Sequence, residues 1–129
     1  MVGYLMSNSA LVITGSVLIA IWGISHIVPT RSVVSGVGPL SRENKFIITM
    51  EWIAEGLALC FIGVSVLLTW LLFGGDNSAV LFVLRLSSVM LLCMAVLSLF
   101  TGARSSVIPI KICPVVKTLC AILIFAGTF

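Results

Sequence analysis

The chain has 129 residues, of which 60% are hydrophobic and 9% charged, with a formal net charge of +3. An average soluble domain carries roughly 25% charged residues, so this composition leaves too little polar surface for a protein dissolved in water. Nucleic-acid binding is excluded as the reading of so small a positive charge, which instead suits orientation in a membrane and contact with anionic headgroups.

No Lys, Arg, Asp or Glu occurs from Met1 to Thr30, nor from Leu86 to Ala103. Crossing a hydrocarbon core of about 30 Å takes about 20 helical residues, and both stretches are compatible with that length. Four spans are expected, over residues 9–28, 46–73, 79–101 and 108–129, forming a single transmembrane domain over residues 1–129. Breaker chemistry separates them at Pro29-Thr30-Arg31, Gly36-Val37-Gly38-Pro39, Gly74-Gly75-Asp76-Asn77 and Gly102-Ala103-Arg104. Backbone groups cannot stay unpaired in lipid, and the segments are too long and unalternating for barrel strands. The expected fold is therefore all-α, an integral membrane four-helix up-down bundle, because such short connections favour antiparallel neighbours.

The first span lacks the basic n-region of a cleavable signal peptide, so it is expected to be retained. Ser16, Ala20 and Gly23 share the side of this helix that carries His26, and small residues of this kind mark close helix packing. His26 is thereby expected to face protein, either as a hydrogen-bonding group near the helix end or, beside a carboxylate, as a proton relay.

Arg31, Arg42 and Lys45 surround the first connection, and Arg104, Lys111 and Lys117 lie in or beside the third. Positive charges stay inside, which makes the loops over 29–45 and 102–111 cytoplasmic and both termini external in a multi-pass protein of the cell membrane. The stretch Arg31 to Lys45 reads as the longest loop, with Ser41 a helix N-cap and Glu43 in the first turn of the second span.

The second span holds the most informative residues. Glu51 and Glu55 are four apart and share one helical face. Facing lipid, each ionised carboxylate would cost on the order of 3 kcal/mol, so the pair should point into the bundle or toward water. Counted from Phe46, Glu55 lies about 13 Å along the helix and Glu51 about 7 Å. Arg85 in the third span offers a partner: its long side chain either reaches inward to Glu55 or snorkels outward toward Asp76. His26, Glu51, Glu55 and Arg85 are accordingly the candidates for ligand binding or proton relay.

No metal site is expected from His26, Glu51 and Glu55, because one imidazole with two carboxylates lacks the second histidine of the usual iron triad. Haem has no recognisable ligand pair. The sequence names no cofactor. Cys60, Cys93, Cys113 and Cys120 lack any Cys-x-x-Cys spacing and read as small packing residues, with no disulfide expected. Trp22, Trp52 and Trp70 read as packing or interfacial residues. In the fourth span, Pro114 suits a first helical turn, which allows a later start and an interfacial segment over 107–113.

The run Ile21-Trp22-Gly23-Ile24-Ser25-His26-Ile27-Val28-Pro29-Thr30, followed by Met50-Glu51-Trp52-Ile53-Ala54-Glu55-Gly56, resembles the small bacterial four-helix membrane proteins of the DoxX-like superfamily. The resemblance covers mainly the first two spans. Some proteins of that kind are linked to membrane redox chemistry, and the more distant sterol isomerases and sigma-2 type proteins place intramembrane acids around a lipophilic ligand. The resemblance implies that His26, Glu51 and Glu55 are the matching positions.

Three functions remain open on these grounds. One is a lipophilic-ligand-binding or accessory subunit, whose polar cluster orients a quinone, a sterol-like lipid or a partner helix. Another is a proton-coupled small transporter in which Glu55 and His26 change protonation. The third is a membrane-embedded isomerase or redox-associated enzyme using Glu51 or Glu55 as acid and base. The bilayer is the expected surrounding, and the stripe of small residues on the first span also suits a homo-oligomer or a membrane partner subunit.

Overall fold

The computed structural model describes residues 2–129, with side chains from Asn8 onward. All regular structure among the described residues is helical: α1 (Val2–Ile27), α2 (Thr30–Gly36), α3 (Arg42–Phe73), α4 (Ser78–Phe100), a 3-10 turn at Gly102–Arg104, and α5 (Ile108–Ala126). Among the described residues, four helices are long and apolar enough to cross a membrane.

Local chemistry explains where these helices stop and start. Pro29 has no backbone N–H and disfavours helical geometry at Val28, so α1 ends there. Its last carbonyls would otherwise lack partners. The Thr30 hydroxyl donates to the His26 and Ile27 carbonyls, and the Trp52 indole N–H donates to the His26 carbonyl at 2.6 Å. The expected long loop over 31–45 is shorter than the sequence indicates. Residues 30–36 restart as α2, because Val33 and Val34 bury their side chains, and only the segment through Gly38, at φ +106°, remains irregular. A positive φ is a conformation that glycine adopts without steric penalty.

Ser41 caps α3 by accepting the Asn44 N–H at 3.2 Å, with Glu43 in the first turn. The helix therefore begins four residues before Phe46 and runs for 32 residues, about 48 Å, longer than a hydrocarbon core. Gly74, at φ +75°, closes it, and Asn77 caps α4 through the Ala79 N–H. In α5 Pro109 occupies the first turn, where a missing N–H costs little, and the helix continues through Pro114. Residues 108–113 are thus helical, and α5 begins at Ile108, where the expected fourth span begins, not after Cys113. Cys113, Pro114 and Lys117 are all buried on one face, and that packing holds the proline inside the helix.

The long helices alternate in direction. On α1, Ser16 and Ala20 meet Gly63 of α3, whereas Gly23 meets Gly56 and Cys60. A Cβ added at Gly23 would lie 2.6 Å from the Gly56 carbonyl oxygen, so only glycine permits this approach. Gly15 faces Ile124 of α5 near one end, and Trp22 meets Cys113 near the other. Helix α1 thus packs between α3 and α5, and α5 packs on α4, whereas α3 and α4 touch sparsely. The ring of four is closed on three sides and loose along the α3–α4 seam. One half of the interior is mainly apolar, with Val12, Val66, Val80, Leu84 and Ile124 buried; the buried ionisable side chains of His26 and Lys117, with half-buried Glu55, lie in the other half.

Candidate functional site

The polar half is assembled from α1, α3, α4 and α5. Small residues bring α1 against α3, which sets His26 beside Trp52 with stacked rings at a centroid distance of 4.3 Å. One turn beyond Trp52 on the helix surface, Glu55 faces α5. There its carboxylate forms an ion pair with Lys117. The Lys117 side chain is 0% exposed and that of Glu55 26%. The ammonium also donates to the Ser98 hydroxyl on α4 at 2.6 Å.

Cys113 lies one turn before Lys117 on the same face of α5 and joins the remaining groups. Its Sγ is 3.4 Å from His26 Nε2 and 3.7 Å from Glu55 Oε1, and it accepts the Trp22 indole N–H at 3.5 Å. His26 Nδ1 lies 2.9 Å from the Trp22 carbonyl oxygen. A carbonyl can only accept, so Nδ1 carries a proton, and in the neutral imidazole the Nε2 lone pair points at Cys113.

Above this cluster the α3–α4 seam opens into a cleft of about 440 Å³. Its walls include Ile48, Ala58, Met94, Leu97 and Ile110, and Glu55, Ser98 and Cys113 lie along one side. Glu51 is exposed and borders the same cleft. The partial exposure of Glu55 is therefore toward this space, and the buried Lys117 holds its Oε1, the oxygen that also faces Cys113.

Of the four candidates read from the sequence, the structure brings His26 and Glu55 together and sets Glu51 on the cleft wall, outside the bonded cluster. Arg85 stands apart. Its guanidinium donates to the Thr128 hydroxyl and carbonyl at 3.2 and 3.3 Å and covers the Phe129 ring at 5.2 Å, near the opposite end of the bundle. Glu55 takes its cation from Lys117, which the sequence places among the charges beside the third connection. Lys117 instead belongs to the core because α5 begins at Ile108, two and a half turns earlier.

Ser98, Cys113 and Lys117 were not among the sequence candidates. The signal present in the sequence is the i, i+4 spacing of Cys113 and Lys117 inside an apolar run, which places thiol and ammonium on one face. No protein-family model, curated protein or solved structure matches the chain. The chemistry of the site therefore rests on its own groups: a fixed ammonium–carboxylate pair, a hydroxyl, a thiol and an imidazole, all at the border of an apolar cleft.

Proposed function

We propose that this is a multi-pass membrane protein that binds a lipophilic small molecule with a polar head, of the quinone or sterol-like class, in the α3–α4 cleft. The observation that carries the reading is the cleft itself: apolar walls with Glu55, backed by Lys117, and Ser98 at one side. Ligand pockets combine this kind of lining with a few fixed polar groups that orient the ligand. Ionisable side chains inside a membrane bundle are expensive to keep, and they mark functional sites by default. Binding needs no catalytic residue.

Membrane insertion is supported by the outward faces. Ile21, Leu57, Phe61, Leu72, Phe82 and Leu97 are each more than half exposed, an apolar surface far too extensive for a soluble monomer. With Lys117 in the core, Arg31, Arg42, Lys45, Arg104 and Lys111 gather at one end, leaving Arg85 toward the other, which supports that end as cytoplasmic. Membership of the DoxX-like superfamily stays our proposal for its ancestry, on the pattern of Gly23, His26, Glu51, Glu55 and Gly56.

The test is native mass spectrometry of protein extracted gently from its own membrane. Wild type is expected to carry a discrete small molecule that Glu51→Gln/Glu55→Gln loses. Ala58→Phe, which fills the cleft from its wall and leaves both charges of the ion pair in place, should lose it as well. Heterogeneous bulk lipid on all three proteins would overturn the reading.

A further inference from the structure

His26, Glu55 and Cys113 have a geometry that lipophilic-ligand binding does not require. Their ligating atoms, imidazole Nε2, a carboxylate oxygen and Sγ, all lie within 4.8 Å of one another. With zinc–sulfur bonds of about 2.3 Å and zinc–nitrogen or zinc–oxygen bonds of about 2.0–2.1 Å, a tetrahedral site has ligand-to-ligand edges of about 3.3–3.6 Å. The nitrogen–sulfur and sulfur–oxygen separations here are 3.4 and 3.7 Å. The remaining edge, from imidazole to carboxylate, has to close by at most about 1.5 Å to reach that geometry. Rotation of the Glu55 carboxylate on the open cleft side provides such a movement.

We propose that His26, Glu55 and Cys113 form a three-residue site for a zinc-class divalent cation, with the fourth position open to the cleft. The surroundings are those that hold metal ligands in place. The Nδ1–H of His26 is tied to the Trp22 carbonyl, which leaves Nε2 as the ligating nitrogen. The Trp22 indole N–H is directed at Sγ, where it stabilises a thiolate. Lys117 donates to Glu55 Oε1, the oxygen that also faces Cys113, and because an ionised carboxylate has about four lone-pair sites, Glu55 serves the ammonium through one oxygen and the ion through its remaining lone pairs. Glu51, exposed one turn along α3, supplies a carboxylate on the entry path.

The donor set selects the ion. A mixed nitrogen, oxygen and thiolate set suits zinc; the hard carboxylate disfavours cuprous ion, and magnesium and calcium favour an all-oxygen set. Binding displaces the thiol proton to solvent, since the ligand is the thiolate. The thiolate and carboxylate then bring two negative charges against three positive ones from the divalent ion and Lys117. That excess in an apolar interior favours an anionic oxygen at the open position, either hydroxide or the acidic head of a lipophilic ligand.

The experiment uses the full chain, stripped of native lipid in detergent and of metal with a chelator, reconstituted in nanodiscs of one synthetic phospholipid and then supplied with Zn²⁺ or Co²⁺ alone. Elemental analysis after desalting is expected to find one ion per chain, with Co²⁺ showing a thiolate charge-transfer band. Cys113→Ser and His26→Gln should each weaken binding by about 100-fold or more, and the band should vanish in Cys113→Ser. Cys93→Ser, an exposed thiol on α4, should bind as wild type does. Less than one ion on folded wild type, or undiminished binding in Cys113→Ser and His26→Gln, would refute the site. Because native lipophilic molecules are removed before reconstitution, the result is independent of whether the cleft holds its lipophilic ligand in the cell.

Discussion

The Glu55–Lys117 pair should behave as one energetic unit, and its asymmetry sets the magnitudes. Lys117 is 0% exposed, whereas Glu55 is 26% exposed toward the cleft. Removing one partner of a buried pair typically costs 3–5 kcal/mol, because the other charge is left uncompensated. Glu55→Gln strands the ammonium with the Ser98 hydroxyl and a neutral amide oxygen, so a cost near the low end, about 3 kcal/mol, is expected. Lys117→Met leaves a carboxylate that water in the cleft can reach, and about 1–2 kcal/mol is expected. The double variant replaces both charges by near-isosteres and should fall within about 1 kcal/mol of wild type. The coupling is then about 3–5 kcal/mol, more than a hundredfold in the unfolding equilibrium. Reversible unfolding in mixed micelles, followed by circular dichroism on chelator-treated protein, measures all four corners of the cycle. If the two single costs add to within about 0.5 kcal/mol in the double variant, the charges do not act together and the proposed polar floor of the cleft is wrong.

Other consequences are simpler to measure. Gly23→Ala should destabilise by about 1–3 kcal/mol in the same unfolding assay, because its new Cβ meets the Gly56 carbonyl oxygen and the Cys60 sulfur at 2.6 Å; Gly36→Ala, with its nearest contact at 3.8 Å, should be tolerated. Trp52→Phe keeps a ring against His26 but loses the indole bond to the His26 carbonyl, at an expected cost of about 1 kcal/mol. Arg85→Met should leave the native mass-spectrometric ligand signal intact, since Arg85 is bonded to Thr128 and not to the cleft; loss of that signal would place Arg85 in the site. An impermeant maleimide applied to intact cells should label Asn77→Cys and spare Val37→Cys, and the opposite pattern would invert the proposed orientation.

The helical architecture was legible because uncharged length and glycine- or proline-rich breaks are properties of the chain itself. The cap at Ser41 was equally legible, since it depends on neighbours three residues away. One boundary was not: helix α2 exists because Val33 and Val34 find a buried surface. Helix α5 starts at Ile108, where the expected fourth span starts, and the later start that Pro114 allowed does not occur because the face around the proline is packed. Both are tertiary effects that override a local breaker signal, and no local pattern contains them.

The site was legible to the extent that a charge in an apolar run has to be explained. Glu55 and His26 stood out on that ground, and the stripe of Ser16, Ala20 and Gly23 correctly set His26 toward protein. What the sequence concealed was the partner. Helices this uniformly apolar show no polar outer face, so hydrophobic periodicity cannot say which side of α5 is inward. Lys117, nine residues from the start of α5, also resembles a charge that marks a cytoplasmic loop. Only the antiparallel packing of α5 on both α1 and α4 turns it inward, and it brings Cys113 with it. The same rotation that buries the lysine therefore creates the thiol–imidazole–carboxylate contact. Turning α5 back to expose Lys117 would dismantle the proposed cation site and the polar wall of the cleft together. Their common dependence on one helix face makes the buried lysine the residue on which the functional reading most directly rests.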